Sequence, residues 1–112
     1  MFASIDYVYT LGYTLRIRFE WDEDKNQQNH AKHGVWFEEA QTLWVDPLSI
    51  EFFDPDHSDD EDRFIRVGHS ALNRILLVVF CERRKGASVR IISARNATRS
   101  ERHDYEEELP AQ

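Results

Sequence analysis

An α+β fold with a mainly antiparallel sheet, two N-terminal helices and one C-terminal helix, in the order β-α-α-β-β-β-β-α, is what this chain predicts. Three observations carry that reading. Arg63 to Arg95 reads as three consecutive strands joined by short turns, and Ile75 to Phe80 is the strongest apolar run in the protein. Two stretches before it and one after it carry helix caps or helical apolar spacing. The chain has 112 residues, 41% hydrophobic and 31% charged, without repeats or an internal linker, so residues 1–112 are expected to form one domain around a single core.

Taken in order, residues 5–20 alternate through Ile5, Tyr7, Tyr9, Leu15, Ile17 and Phe19. This is either a strand pair or one strand, Thr14 to Trp21, behind an extra strand or loosely attached extension at residues 1–15. Asp22 caps a helix from Glu23 to His33, with Glu23 and Asp24 complementing its dipole and Gly34 ending it. The run KNQQNHAKH is so polar that little of this helix should be buried. A second helix, Phe37 to Val45, spaces Phe37, Ala40 and Trp44 for one apolar face and stops at Asp46-Pro47. Leu48 to Phe53 reads as a strand, and the acidic DPDHSDDED as a loop with nothing to bury. Phe64 to His69 follows. The nearly continuous run ILLVVFC suits a strand covered on both faces, in mid-sheet. Val89 to Ile92 follows a turn around Lys85-Gly86-Ala87. Thr98 and Glu101 form a capping box for a helix from Arg99 to Leu109, before Pro110.

The net charge of −7 argues at first against a nucleic-acid partner, but the charge is polarised. Glu20 to Asp62 holds fourteen acidic side chains against Lys25 and Lys32, whereas Arg63 to Arg102 holds ten bases against Glu82 and Glu101. One surface can therefore meet phosphates while another meets a basic partner. No apolar stretch approaches the roughly 20 residues of a membrane span, and MFASIDYVYTLGYTLRIRF lacks the layout of a signal peptide. A cytoplasmic protein with no membrane partner is expected. The one cysteine, Cys81, excludes an internal disulfide and reads as a small buried hydrophobe.

Hydrolase motifs of the G-x-S-x-G kind and glycine-rich phosphate loops are absent. His30 and His33 share a helix face and His57 sits in the acidic loop, but the further ligands of a zinc motif are missing and the loop lacks the glycine and glutamate of an EF-hand. No metal or other cofactor is expected. What remains is histidine, lysine and arginine, the groups a metal-free ribonuclease needs. A base takes the proton from the ribose 2′-hydroxyl, and cations hold the phosphate as charge builds on it. Hairpin register puts Arg63 near Cys81 and Arg83, with Arg83 across from about Val89. That gathers Arg63, Arg83, Arg84, Lys85 and Arg90 at one sheet end. Arg95 lies roughly 20 Å further along and is suited to the C-terminal helix. For each arginine the competing role is an ion pair with the acidic half.

The segments FEWDEDKNQQNHAKHGVWFEEA, DRFIRVGH, VVFCER, RIISARNATRSE and DYEEE, in that order from Phe19 to Glu107, resemble the BrnT family of ribonuclease toxins from bacterial type II toxin–antitoxin pairs. The resemblance implies a RelE-like fold and RNA cleavage that inhibits translation. It also implies neutralisation by a cognate ribbon-helix-helix antitoxin, with operator DNA bound only through that antitoxin. The polar positions that match are Lys32, His33, Arg63, Arg83, Ser93, Arg95, Glu101 and Tyr105. On that basis His33 is the expected proton-transfer group, with Arg63 and Arg83 as the phosphate clamp. Lys32, Arg84, Lys85, Arg90, Ser93, Arg95, Glu101 and Tyr105 are the expected substrate-binding set; Arg95, Glu101 and Tyr105 are equally suited to fixing the last helix on the sheet. Trp36 stands where the family usually has a Ser or Thr cap, and residues 1–15 precede the usual family start. The leading alternative is a non-catalytic RelE-like module that represses its operon with the antitoxin. A weaker one is a metallohydrolase built on His30, His33 and the acidic loop.

Overall fold

The computed structural model describes residues 2–5, 8–10, 13–15, 17–57, 61–83 and 87–107, the first three segments and residue 57 by backbone only. Among the described residues, eight strands and three α-helices follow in chain order: β1 Phe2–Ile5, β2 Val8–Thr10, β3 Tyr13–Leu15, β4 Arg18–Asp22, α1 Glu23–His33, α2 Phe37–Ala40, β5 Ile50–Phe53, β6 Arg63–His69, β7 Ile75–Arg83, β8 Ser88–Asn96 and α3 Arg99–Glu107. One sheet holds six strands in the order β1-β4-β8-β7-β6-β5, and β2 pairs with β3 separately. As the apolar run of β7 requires, that strand is interior and almost continuously buried.

One expectation is refined and another needs correction. The sheet is mainly antiparallel as expected but mixed, because β4 runs parallel to β8 (Phe19 opposite Val89) while the other pairings are antiparallel. The second N-terminal helix is only one α-turn, Phe37–Ala40, which tightens into a 3₁₀ segment, Gln41–Val45. Thr42 Oγ1 takes the Glu39 carbonyl at 2.6 Å, a side-chain competitor to regular helix bonding just where Asp46-Pro47 ends the segment. In the N-terminal region, the expected strand Thr14 to Trp21 is divided between β3 and β4. Residues 2–5 add an edge strand, with Ile5 opposite Phe19. The turn at Lys85-Gly86 and the end of the last helix beyond Glu107 lie outside the described residues.

The main core lies between α1, α2 and one sheet face. Phe19, Trp21, Phe37, Leu43, Trp44, Leu76, Val78, Phe80, Val89 and Ile91 are buried there. Edge-to-face rings link Phe19 to Trp44 at 5.1 Å and Trp44 to Phe80 at 4.8 Å. Helix α1 packs differently from what its polarity predicts: its buried residues are asparagines, Asn26 and Asn29. Asn29 Nδ2 donates to the carbonyls of Val35 and Ala94 at 2.9 and 2.8 Å, and its Oδ1 accepts from Ala94 N–H at 3.1 Å. A side-chain amide thus continues the ladder of β8 where its pairing with β4 stops. Asn26 Oδ1 accepts the Phe37 N–H at 2.8 Å, while its Nδ2 donates to Glu23 and Glu38. Asn26 therefore supplies the cap hydrogen bond that Trp36 does not make, and the Trp36 ring stacks on His30 at 3.8 Å.

The other face carries a smaller core of Val67, Ile75, Leu77 and Tyr105, covered by α3 at one end. Between Val79 and Phe80 the β7–β8 register slips, Val79 facing Ser93 and Phe80 facing Ile91, so Ile92 is an extra residue. Side-chain direction alternates along a strand, and the slip turns both Arg90 and Arg95 onto this second face.

Candidate functional site

Because Phe64, Phe80, Val89 and Ile91 face the main core, Arg63, Cys81, Arg83 and Arg90 project from the opposite face. Arg63 lies opposite Cys81, and Cys81 opposite Arg90, a row across three strands roughly 10 Å wide. Arg83 pairs with Ser88, one residue from the expected position. Arg83 Nε donates to Glu61 Oε2 at 2.7 Å and Arg90 Nη2 to Glu61 Oε1 at 2.6 Å. The hydrogen bond from Arg83 is foremost among the interactions that hold the Glu61 carboxyl below its ordinary range. One anion bridged by two guanidinium groups from neighbouring strands is the arrangement a phosphate would also satisfy. Arg84 and Lys85 lie outside the described residues.

Arg95 is spent on the last helix. Its guanidinium forks onto both oxygens of Glu101 at 2.8 and 2.9 Å. Glu101 also accepts the Thr98 N–H at 2.8 Å, and Thr98 Oγ1 accepts the Glu101 N–H at 3.2 Å, which completes the predicted capping box. The Arg95 hydrogen bond foremost drives the Glu101 carboxyl down to about 2. Ser93 is half-buried on the same face, opposite Val79.

Lys32 and His33 are not brought to the arginine row. They end α1, on the side of the sheet that holds the main core, next to Gly34, whose carbonyl accepts Arg74 Nη2 at 3.2 Å. That is the Ser70–Arg74 end of the β6–β7 hairpin, whereas Arg63 and Arg83 mark its far end, roughly 20 Å away at strand rise. The sequence put these residues in one site because it could not place a helix end on a sheet face.

At the near end stands a group of which sequence reasoning singled out only Tyr105. Tyr105 Oη donates to Asp46 Oδ2 at 2.6 Å and lies 2.9 Å from His69 Nδ1. The same Asp46 oxygen accepts the His69 backbone N–H at 2.8 Å, and Oδ1 accepts Leu48 N–H at 2.9 Å. Burial pushes the Asp46 carboxyl up, but the Tyr105 and backbone donors outweigh it and the net displacement is downward. Burial, and then Asp46, push the Tyr105 hydroxyl up, so it stays a donor. Gly68 makes the approach possible: a Cβ there would meet Ser49 Cβ at 2.7 Å and Asp46 Oδ2 at 3.0 Å. His69 closes the DRFIRVGH segment, but its partners come from residues 23 and 36 positions away, which no local pattern reveals. Nearby, buried Glu39 accepts from Ser70 Oγ at 2.7 Å and from Arg74, so Arg74 is structural.

Among the described residues no group of three or more His, Cys, Asp or Glu side chains is placed to hold a metal ion, and no helix is long and apolar enough to cross a membrane. The profile described as "Ribonuclease toxin, BrnT, of type II toxin-antitoxin system" matches residues 21–101. Among solved structures, the 1.1 Å crystal structure of the Brucella abortus ribonuclease toxin BrnT is similar, with a TM-score of 0.51 and 27% identity over 70% of this chain and 94% of that one. No curated protein matches. With every buried apolar residue except Phe19 and Tyr105 inside the matched span, the chain belongs to the BrnT family of ribonuclease toxins of type II toxin–antitoxin systems.

Proposed function

We propose that this chain is a metal-independent endoribonuclease whose RNA cleavage inhibits translation, and that a cognate ribbon-helix-helix antitoxin neutralises it. The observation that carries the site is the Glu61 carboxylate shared by Arg83 and Arg90. An RNA phosphate entering from solvent would replace Glu61 on the same two guanidinium groups, with Arg63 beside them on the row. Cleavage would proceed by attack of the ribose 2′-oxygen on the adjacent phosphorus and departure of the 5′-oxygen, leaving a 2′,3′-cyclic phosphate. A base receives the 2′-hydroxyl proton and the leaving oxygen gains one. His33, the proton-transfer group expected from the family motif, lies across the sheet from this row, so we do not propose a step joining His33 with Arg63 and Arg83. Arg95, Glu101 and Tyr105 act in this reading by fixing α3.

The antitoxin reading is supported by an open groove of about 500 Å³ where Trp36 and Leu72 are exposed beside Glu23 and Glu38, suited to a basic, partly apolar segment. Operator DNA would be bound through the antitoxin.

The test is induction of the chain in a bacterial host with and without its neighbouring reading frame, together with cleavage of RNA by purified protein in chelator. Arrest with RNA loss, relieved by the neighbour and by Arg83→Ala, is expected. Unchanged cleavage by folded Arg83→Ala would sink the clamp. Absence of cleavage by the unmodified folded protein would favour a non-catalytic repressor module.

A further inference from the structure

We infer that His69 is the proton-transfer group of this ribonuclease, acting in the polar cleft between α3 and the β6–β7 turn, with Tyr105 and Asp46 as its positioning residues. The inference rests on the ribonuclease reading and places the chemical step in this cleft, with the arginine row, roughly 20 Å along β6, holding another part of the RNA. Its foundation is a hydrogen-bond chain with only one consistent direction. Tyr105 Oη lies 2.6 Å from Asp46 Oδ2, a carboxylate oxygen that can only accept, so the tyrosine proton points there. A lone pair of the same hydroxyl is then left for His69 Nδ1 at 2.9 Å, which must carry the ring proton. The neutral imidazole is thereby fixed as the Nδ1–H tautomer with its lone pair on Nε2, the state a general base needs. When Nε2 takes a proton, the positive ring keeps its Tyr105 contact and gains the Asp46 charge behind it. The backbone is held as well, since Asp46 Oδ2 accepts the His69 N–H at 2.8 Å.

The surroundings suit a phosphate. His69 lines a cleft of about 350 Å³ with Asn73, Arg74, Asn96, Arg102 and Glu106. Arg102 is 57% exposed and its guanidinium stands 4.0 Å from Glu106, a loose contact that leaves it available to an anion. Arg74 is committed to buried Glu39. The charged and titratable groups facing His69 are therefore Tyr105, Arg102 and Glu106 from α3, Arg74 from the turn, and Asp46 from the segment before β5. His69 lies on the same sheet face as Arg63, roughly 20 Å along β6, with buried Val67 between them. In the step itself Nε2 takes the proton of the ribose 2′-hydroxyl, the 2′-oxygen bonds to phosphorus, and the P–O5′ bond breaks. The 5′-oxygen gains a proton from water, the hydroxide so formed takes the proton from Nε2, and a 2′,3′-cyclic end remains, with no oxidant or reductant involved.

The experiment measures cleavage of a synthetic RNA oligonucleotide by the purified full chain from pH 5 to 9, with melting temperatures recorded for every variant. His69→Gln is expected to lower kcat by about 100-fold or more, the usual worth of a positioned base, with KM nearly unchanged. Tyr105→Phe, which deletes the hydroxyl that fixes the ring proton on Nδ1, is expected to lower kcat several-fold with KM nearly unchanged, whereas simple loosening of α3, which also carries Arg102, would raise KM as well. Arg102→Gln, on the exposed side of the helix, is expected to raise KM several-fold without loss of stability. The proposal is overturned if a folded His69→Gln cleaves like the parent while the parent is active, a result that leaves the ribonuclease reading standing. Should His69→Gln fail to fold, an unchanged kcat in Tyr105→Phe together with an unchanged KM in Arg102→Gln would overturn it equally. No cleavage by the unmodified protein would remove both readings together.

Discussion

Asn26→Ala offers the sharpest check on how this fold is held. Asn26 and Phe37 are both fully buried, and the 2.8 Å bond from Phe37 N–H to Asn26 Oδ1 is the cap of α2. Alanine leaves that N–H buried without a partner, a loss of about 1–3 kcal/mol. The vacated amide volume adds about 1 kcal/mol as a cavity. The bonds to Glu23 and Glu38 are part-buried and their carboxylates can turn to water, so they contribute little more. The sum is about 3 kcal/mol. For 112 residues the unfolding entropy is about 0.24 kcal/mol/K, so the melting temperature should fall by about 12 °C. Calorimetry or far-UV thermal melts measure this directly. Asn26→Asp separates the components. It keeps the acceptor for Phe37 but sets a third carboxylate against Glu23 and Glu38, so its deficit should exceed that of the alanine variant at pH 7 and shrink towards pH 4. A fall of less than about 3 °C for Asn26→Ala, corresponding to under 1 kcal/mol, would refute the view that a side chain of α1 caps α2.

Two further perturbations test the supports of α3 and β6. Gly68→Ala forces a Cβ to within 2.7 Å of Ser49 Cβ, so the Asp46–Ser49 turn must lift; a loss of about 1–3 kcal/mol in chemical denaturation is expected, and cleavage should fall with it as Asp46 leaves His69. The Glu101 carboxyl, driven from an ordinary 4.5 down to about 2 by Arg95, contributes stability that is complete above pH 4.5 and is lost as pH falls through about 2. Discounted because Arg95 is 37% exposed, that contribution is about 1–2 kcal/mol. Urea midpoints between pH 5 and 2 should show the loss in the parent and a shallower one in Arg95→Gln; parallel curves would show that the fork does not stabilise α3.

Local chemistry was legible in the chain. The α1 boundaries followed from Asp22 and Gly34, whose caps need only neighbouring backbone. The α3 start followed from Thr98 and Glu101, and the Arg63–Cys81 register from a hairpin whose turn length fixes which residues meet. The arginine row was legible for the same reason, and the KHG and R-I-I-S-A-R segments carried the family. What sequence could not supply depends on contacts between distant segments. The parallel β4–β8 pairing joins residues about 70 positions apart. The slip at Ile92 is one residue in a strand of otherwise even period, yet it sets which arginines share a face. Polar Asn26 and Asn29 read as solvent-facing because their burial is compensated by backbone groups on α2 and β8 that only folding brings near. Asp46 read as a helix stop and Tyr105 as a substrate contact or a helix anchor. Only the tertiary structure, by laying α3 and the Asp46 turn against the end of β6 at Gly68, sets them behind His69, and a side chain's role as a base is decided by such neighbours rather than by its own place in the chain.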